Sequence, residues 1–221
     1  MTERLDLALS EAFKMAGGRL EGGRYRLSGR LDLSDRTDIT DSARPADETT
    51  VQLGLLLGVV PGEVFSTSTL KLDRTGVETF HGGTYGGGLF LEGMPDLALM
   101  DGDLRVDGNL GLSKNPKFTG FKGEALVRGW ADLSQNPLLE RLPKPFVVGG
   151  KVYLNGCEAL ETLNRLQCGG LNIGGCPQIG LSALKGCVIR GDLEVIGCPL
   201  LARVSYDEIH RVCTVQGRIW K

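Results

Sequence analysis

Acid–base or nucleophilic chemistry has few side chains to draw on in this chain. Histidine occurs only at His81 and His210. The run His81-Gly82-Gly83-Thr84 has the glycine content of an oxyanion loop, but there is no G-x-S-x-G stretch to supply a nucleophile. The expected structure there is a glycine-rich turn bearing an exposed histidine. Gly86-Gly87-Gly88 lacks the Lys-Ser/Thr of a phosphate loop and the spacing of a dinucleotide fingerprint. Asp101, Asp103 and Asp107 suggest a calcium loop, yet the strand-like Leu104-Arg105-Val106 separates the third acid from the others, so solvated loop carboxylates are expected. The six cysteines contain no C-x-x-C pair. Cys157, Cys176 and Cys198 stand in one column of a repeat, Cys187 and Cys213 in another. Small buried core residues are therefore expected, and neither a metal nor a cofactor is implied. Neighbouring rungs ~4.8 Å apart would bring such cysteines within disulfide reach. The missing secretion signal favours free thiols and a cytoplasmic location.

A repeat positions these residues. Residues 104–118 read L-R-V-D-G-N-L-G-L-S-K-N-P-K-F, and V-R-G-W-A-D-L-S-Q-N-P follows in the same register 21 residues on. Aligning Gly108 with Gly129 superposes Leu112 on Leu133, Ser113 on Ser134, Asn115 on Asn136 and Pro116 on Pro137. Equivalent glycines fall at Gly87, Gly108, Gly129, Gly150, Gly169, Gly191 and Gly217, with steps of 21, 21, 21, 19, 22 and 26. A period near 20 means a solenoid. Apolar residues alternate around each glycine: Leu104, Val106, Leu110 and Leu112; Phe146, Val148, Val152 and Leu154; Cys213, Val215 and Ile219. Period two is the strand signature. The glycine shares the parity of the inward residues, which predicts a strand bend where no side chain fits against the core. Across residues 166–173 the alternation slips by one position.

Seven residues after each of five glycines stand Asn115, Asn136, Cys157, Cys176 and Cys198, a structural ladder. The run L-x-L-x-x-(N/C) is similar to the leucine-rich repeat, in which this Asn or Cys satisfies backbone groups of the turn. Leu142-Pro143 followed by V-G-G-K-V-Y-L-N-G-C resembles bacterial repeats of that kind. The form V-x-G-x-L-x-L-x-x-N-P also resembles the L domains of growth-factor receptors, which are short right-handed β-helices. The resemblance spans residues 64–221 and departs from ordinary leucine-rich repeats in leaving no room for a long helix. It implies an all-β fold, a right-handed parallel β-solenoid of about 21-residue, leucine-rich-repeat-like rungs, and a protein-binding scaffold with no particular ligand.

Residues 1–18 predict a short N-terminal capping α-helix, with Leu5, Ala8, Leu9, Ala12, Phe13 and Ala16 on one face and Gly17-Gly18 as its stop. Such a helix would blunt the solenoid's open edge. Glu3, Asp6 and Glu11 interrupt any signal peptide, and no run is long enough to span a membrane. Residues 19–221 form the solenoid domain. Its first rung is Tyr25 to Leu33 around Gly29, and a loop over residues 34–50 follows that is net acidic by three. Strand returns over residues 51–59 and 64–72. A net charge of −2 gives no electrostatic case for nucleic acid or anionic membrane.

Positions one and three after each glycine point outward, and they include Phe90, Trp130, Asp132, Lys151, Tyr153, Asp192, Glu194, Arg218 and Trp220. Large aromatics on a strand face suggest contact, because Trp, Tyr and Arg supply most binding hot spots. The expectation is a non-enzymatic protein–protein interaction module of a bacterial or phage kind. It would bind, and inhibit or scaffold, an unidentified protein partner through Phe90, Trp130, Asp132, Lys151 and Tyr153. The alternatives are a self-assembling structural scaffold and a carbohydrate-active β-helix enzyme. The enzyme reading is weakened because Arg218 stands one rung from Asp192, and Arg128 one rung from Asp107, as cross-strand ion pairs. Ser205-Tyr206-Asp207-Glu208 predicts a short helical start, after which strand returns to Lys221. The last rung then has an open edge, which predicts a homodimer through Ile219 and Trp220. The competing expectation is a monomer capped by residues 203–211.

Overall fold

The protein is described from a computed structural model, which describes residues 19–21, 24–26, 29–35, 65–66 and 69–221. The expected helix over residues 1–18, the acidic loop beyond residue 35 and the strand over residues 51–59 lie outside the described residues.

The chain winds as a parallel β-solenoid with two nine-stranded sheets. Each glycine of the repeat stands at a corner. The strand before it belongs to the first sheet and the strand after it to the second, as with Ala125–Val127 and Ala131–Asp132 on either side of Gly129. Pairing is in register from coil to coil: Leu104, Ala125 and Phe146 stack in the first sheet, and Leu110, Ala131 and Val152 in the second. These stacked columns are the apolar positions of the period-two pattern, and all are buried. Full burial of one such aliphatic side chain stabilises by about 1.5–3 kcal/mol.

The glycine column is a spine. The N–H of Gly108 donates to the Gly87 carbonyl at 2.9 Å, that of Gly129 to Gly108 at 2.9 Å and that of Gly150 to Gly129 at 2.8 Å. A Cβ on Gly108 would lie 2.7 Å from the Gly87 carbonyl carbon, and one on Gly129 would lie 2.6 Å from the Gly108 oxygen. The excluded side chain would thus strike the backbone of the preceding coil. This corrects the expectation of a clash with the core, and the bend separates two sheets instead of kinking one strand. At the slipped register Cys168 adjoins Gly169 directly. The exposed corner residue present as Arg128 and Gly149 in the two preceding coils is missing there.

After the second strand each coil turns through one left-handed residue: Arg74, Gly93, Lys114, Gln135, Gly156, Gly175 and Gly197, with φ between 56° and 77°. The ladder residue comes next. Asn115 Nδ2 donates to the carbonyls of Leu91 at 2.9 Å and Leu112 at 3.1 Å, while its Oδ1 accepts from Met94 N at 2.7 Å. Asn136 repeats this with Leu112, Leu133 and the Asn115 N–H. In the next coils Cys157, Cys176 and Cys198 donate their thiols to the carbonyls of Leu133, Leu154 and Ile173 at 2.9–3.1 Å. The column continues backward through Met94 and Thr75, whose Oγ1 donates to Met94 Sδ at 3.3 Å. The third side of the coil is an irregular arc that buries Leu97, Phe118, Leu139, Leu160, Ile179 and Leu201.

The last step is longer because its arc holds the seven-residue helix α1, Tyr206–Val212. Ser205 caps it through a capping box: Ser205 Oγ accepts from Glu208 N at 3.2 Å, and Glu208 Oε2 accepts from Ser205 N at 2.8 Å. The helix buries Ile209 and packs beside the 3-10 turn Leu181–Leu184. It thus precedes the final strands Thr214–Val215 and Ile219–Trp220, which stand last in their sheets.

Two further expectations are corrected. Of the rung expected from Tyr25 to Leu33, Leu31–Asp32 joins the second sheet beside Leu70–Lys71, whereas Arg24–Arg26 pairs antiparallel with Arg19–Glu21. His81-Gly82-Gly83-Thr84 lies within the strand Thr79–Tyr85, and Asp101 and Asp103 lie in Leu99–Val106 beside it. Backbone packing makes the glycines necessary here, since a Cβ at Gly82 would meet the Asp103 carbonyl of the next coil. A turn is therefore not what these glycines serve.

Candidate functional site

The outward face of the second sheet carries two rows of side chains. In-register pairing lines up Asp32, Lys71, Phe90, Gly111, Asp132, Tyr153, Asn172, Glu194 and Trp220 as one row. Asn109, Trp130, Lys151, Asp192 and Arg218 stand in the other. The structure therefore gathers Phe90, Trp130, Asp132, Lys151 and Tyr153 on one surface spanning four coils.

The aromatic residues at its centre are half-buried. Phe90 and Trp130 meet edge to face, with ring centroids 6.1 Å apart. Lys71 Nζ lies 5.7 Å from the Phe90 ring, and Lys151 Nζ lies 5.1 Å from the Tyr153 ring. The missing side chain at Gly170 lets Lys151 lean across a whole coil to pair with Glu194. Glu194 also accepts from Asn172 Nδ2 at 2.9 Å. Lys151 is thus held by its own chain.

Most carboxylates of this face are neutralised internally. Arg30 pairs with Asp32 at 2.7 Å and Lys71 with Asp73 at 3.1 Å. Asp192 accepts from the Arg218 N–H at 2.8 Å and from Trp220 Nε1 at 3.2 Å, and these bonds hold its carboxyl below the usual range. The expected ion pair of Asp192 with Arg218 is replaced by that backbone bond, and the guanidinium lies 5.8 Å from the Trp220 ring instead. Arg128 and Asp107 do pair, at 2.9 Å, on the other side of the corner. Asp132 Oδ1 accepts from Ser134 N at 2.9 Å and Ser134 Oγ at 2.6 Å. Glu92 and Asp132 form no ion pair among the described residues. Partial burial and the charges of Asp73 and Asp132 push the Glu92 carboxyl up.

The sequence reading passed over Glu92, which stands two residues beyond Phe90. Its signal was the neighbouring Gly111, the only residue of that row without a side chain. The outward row of the first sheet was also not singled out. Leu126, Val147 and Val188 stand there, and Leu126 is 37% exposed.

The cysteines are chemically quiet. All six are buried free thiols. Burial pushes Cys157 and Cys168 up to about 12, and Cys176 and Cys187 up to about 11. His81 Nδ1 lies 3.8 Å from Asp101 Oδ2. No group of three or more His, Cys, Asp or Glu side chains able to hold a metal occurs among the described residues. No helix of these residues is long and apolar enough to cross a membrane.

Comparison of the chain with protein-family models, with curated proteins and with solved structures finds no match. The structure shows a parallel β-solenoid, and the resemblance to leucine-rich repeats and receptor L domains rests on the repeat motif of the sequence alone.

Proposed function

We propose that the protein is an interaction module that binds a partner protein through the outward face of the second sheet, centred on Trp130 and Tyr153. The observation that carries this reading is the group of half-buried aromatic residues Phe90, Trp130 and Tyr153 on the outward side of a regular strand face. Aromatic rings at a surface offer large contact area with few rotamers to immobilise. Asp132 flanks the rings and orients the partner, and Lys151, paired with Glu194, braces the Tyr153 ring. Capture experiments with the full chain and with a Trp130→Ala/Tyr153→Ala variant test it. A stoichiometric partner retained by the native chain and lost with the variant is expected; equal retention by both overturns the reading.

A second reading, self-association through the last coil, has its own support. Thr214–Val215 and Ile219–Trp220 stand at the sheet edges, and Trp220, Ile196 and Leu200 nearby are 43%, 60% and 55% exposed. Edge strands with apolar surroundings favour pairing with a second copy. Light scattering across a dilution series tests it: a mass that stays at one chain and does not change with Trp220→Lys removes this reading.

A further inference from the structure

We propose that the surface over Gly111, framed by Phe90, Glu92, Trp130 and Asp132, receives a basic side chain of the partner, an arginine or lysine. The proposal rests on the reading of this face as protein-binding and specifies the chemistry it recognises. The face has an internal pattern of neutralisation. Asp32, Asp73 and Glu194 each have a cation from the same chain, and both oxygens of Asp192 accept hydrogen bonds. Around Gly111 no carboxylate is closed into an ion pair among the described residues, and Lys114 and Lys71 act on Glu92 only from beyond ion-pair distance. Asp132 has only Oδ1 engaged, by Ser134, and the Glu92 carboxylate makes no ion pair among the described residues.

The Glu92 carboxylate leans over the one position of the row that lacks a side chain, the buried Gly111, and Asp132 stands next to it in register. Phe90 and Asp132 flank Gly111 in register on its two sides. An alanine Cβ at 111 would lie 2.5 Å from Glu92 Oε1 and 2.6 Å from Phe90 Cδ1, so acid and ring both lean over the glycine. Trp130 stands beside Phe90. Two acids that close no ion pair among the described residues, beside two aromatic rings, complement a guanidinium or ammonium, which gains charge-assisted hydrogen bonds from the carboxylates and cation–π attraction from the rings. Partial burial first, and then the charges of Asp73 and Asp132, keep the Glu92 carboxyl raised, and a bound cation opposes that shift.

The test uses the full chain and an acetylated tetra-arginine amide peptide, titrated by tryptophan fluorescence and calorimetry, with the isosteric tetra-citrulline peptide as its uncharged counterpart. Binding of the arginine peptide is expected to weaken by about tenfold or more in Glu92→Gln/Asp132→Asn and to be unchanged in Asp192→Asn. Circular dichroism on the isosteric variants confirms that they fold. Gly111→Ala, which displaces the Glu92 carboxylate, is a second variant expected to weaken binding. Equal affinity for the citrulline peptide, or no loss in the double variant, overturns the proposal. The captured partner separates the two readings. If it is lost with Trp130→Ala/Tyr153→Ala but kept with Glu92→Gln/Asp132→Asn, the binding face stands and the cation site falls; if both variants keep it, both fall.

Discussion

At the scale of single residues, the ladder shows why Asn and Cys share one position. The buried turn presents carbonyl oxygens from two coils and an N–H from a third group, and Asn serves all three. Cysteine keeps one short donation to a carbonyl of the preceding coil and fills the space with an apolar atom. Asn136→Ala strands the carbonyls of Leu112 and Leu133 and the Asn115 N–H, and is expected to cost about 3 kcal/mol in denaturant unfolding. Asn136→Cys is expected to cost about half of that. Equal losses for the two would mean that volume, not hydrogen bonding, governs the column. The same burial makes the thiols inert. With Cys157 and Cys168 raised to about 12 and Cys176 to about 11, the thiolate fraction at neutral pH is far below that of a free cysteine. Ellman's reagent is expected to label none of the six thiols rapidly in the folded chain and all six in denaturant.

At the scale of the element, two positions of the coil favour glycine for different reasons, and substitutions separate them. The turn needs a positive φ: 61° at Lys114, 56° at Gln135 and 75° at Gly156. At Gly156 the nearest atom to an added Cβ is 3.7 Å away, so only conformation opposes a side chain there. Gly156→Ala is expected to cost about 1 kcal/mol, and Lys114→Gly to stabilise by about 0.5–1 kcal/mol. The spine needs closeness of approach. Gly129→Ala forces a methyl into the Gly108 carbonyl and is expected to cost about 3 kcal/mol. Thermal unfolding of the three variants gives the order directly, and a Gly129→Ala loss no larger than that of Gly156→Ala would contradict the spine.

At the scale of the whole molecule, each coil rests on its neighbours, so stability is distributed along the axis. Central coils are paired on both sides in both sheets, whereas Thr214–Val215 and Ile219–Trp220 have a neighbour on one side. Amide exchange is expected to be slowest at Leu110, Ala131, Val152 and Leu171 and fastest in those last strands. Uniform protection through Trp220 would instead point to a second copy covering the edge. The Glu92 carboxyl adds a pH dependence. Its folded-state value is raised, so its contribution to stability is fully present below the unfolded glutamate value and is lost as pH rises through the folded one. Glu92→Gln is expected to flatten that decline in a series of urea titrations.

Much of this architecture follows from residues considered one coil at a time. Glycine at a near-constant step, apolar residues of period two and Asn or Cys seven residues on are consequences of strand geometry and of buried turn groups, and both leave local traces. That is why the parallel solenoid, the inward columns, the ladder from Asn115 to Cys198 and the helical start at Ser205 were legible. Thr75 and Met94 escaped because the same column position can be filled by unlike side chains once a neighbour supplies the missing bond. The corner at each glycine escaped because one bent strand and two strands in different sheets share the same alternation. The repeat register gave the Arg128–Asp107 pair, but stacking decided which other charges meet. Lys151 finds Glu194 because Gly170 leaves the way open between them, while Glu92, beside Gly111, closes no ion pair among the described residues. Such pairings join residues separated by whole coils, and their electrostatics depend on distances that no local pattern encodes.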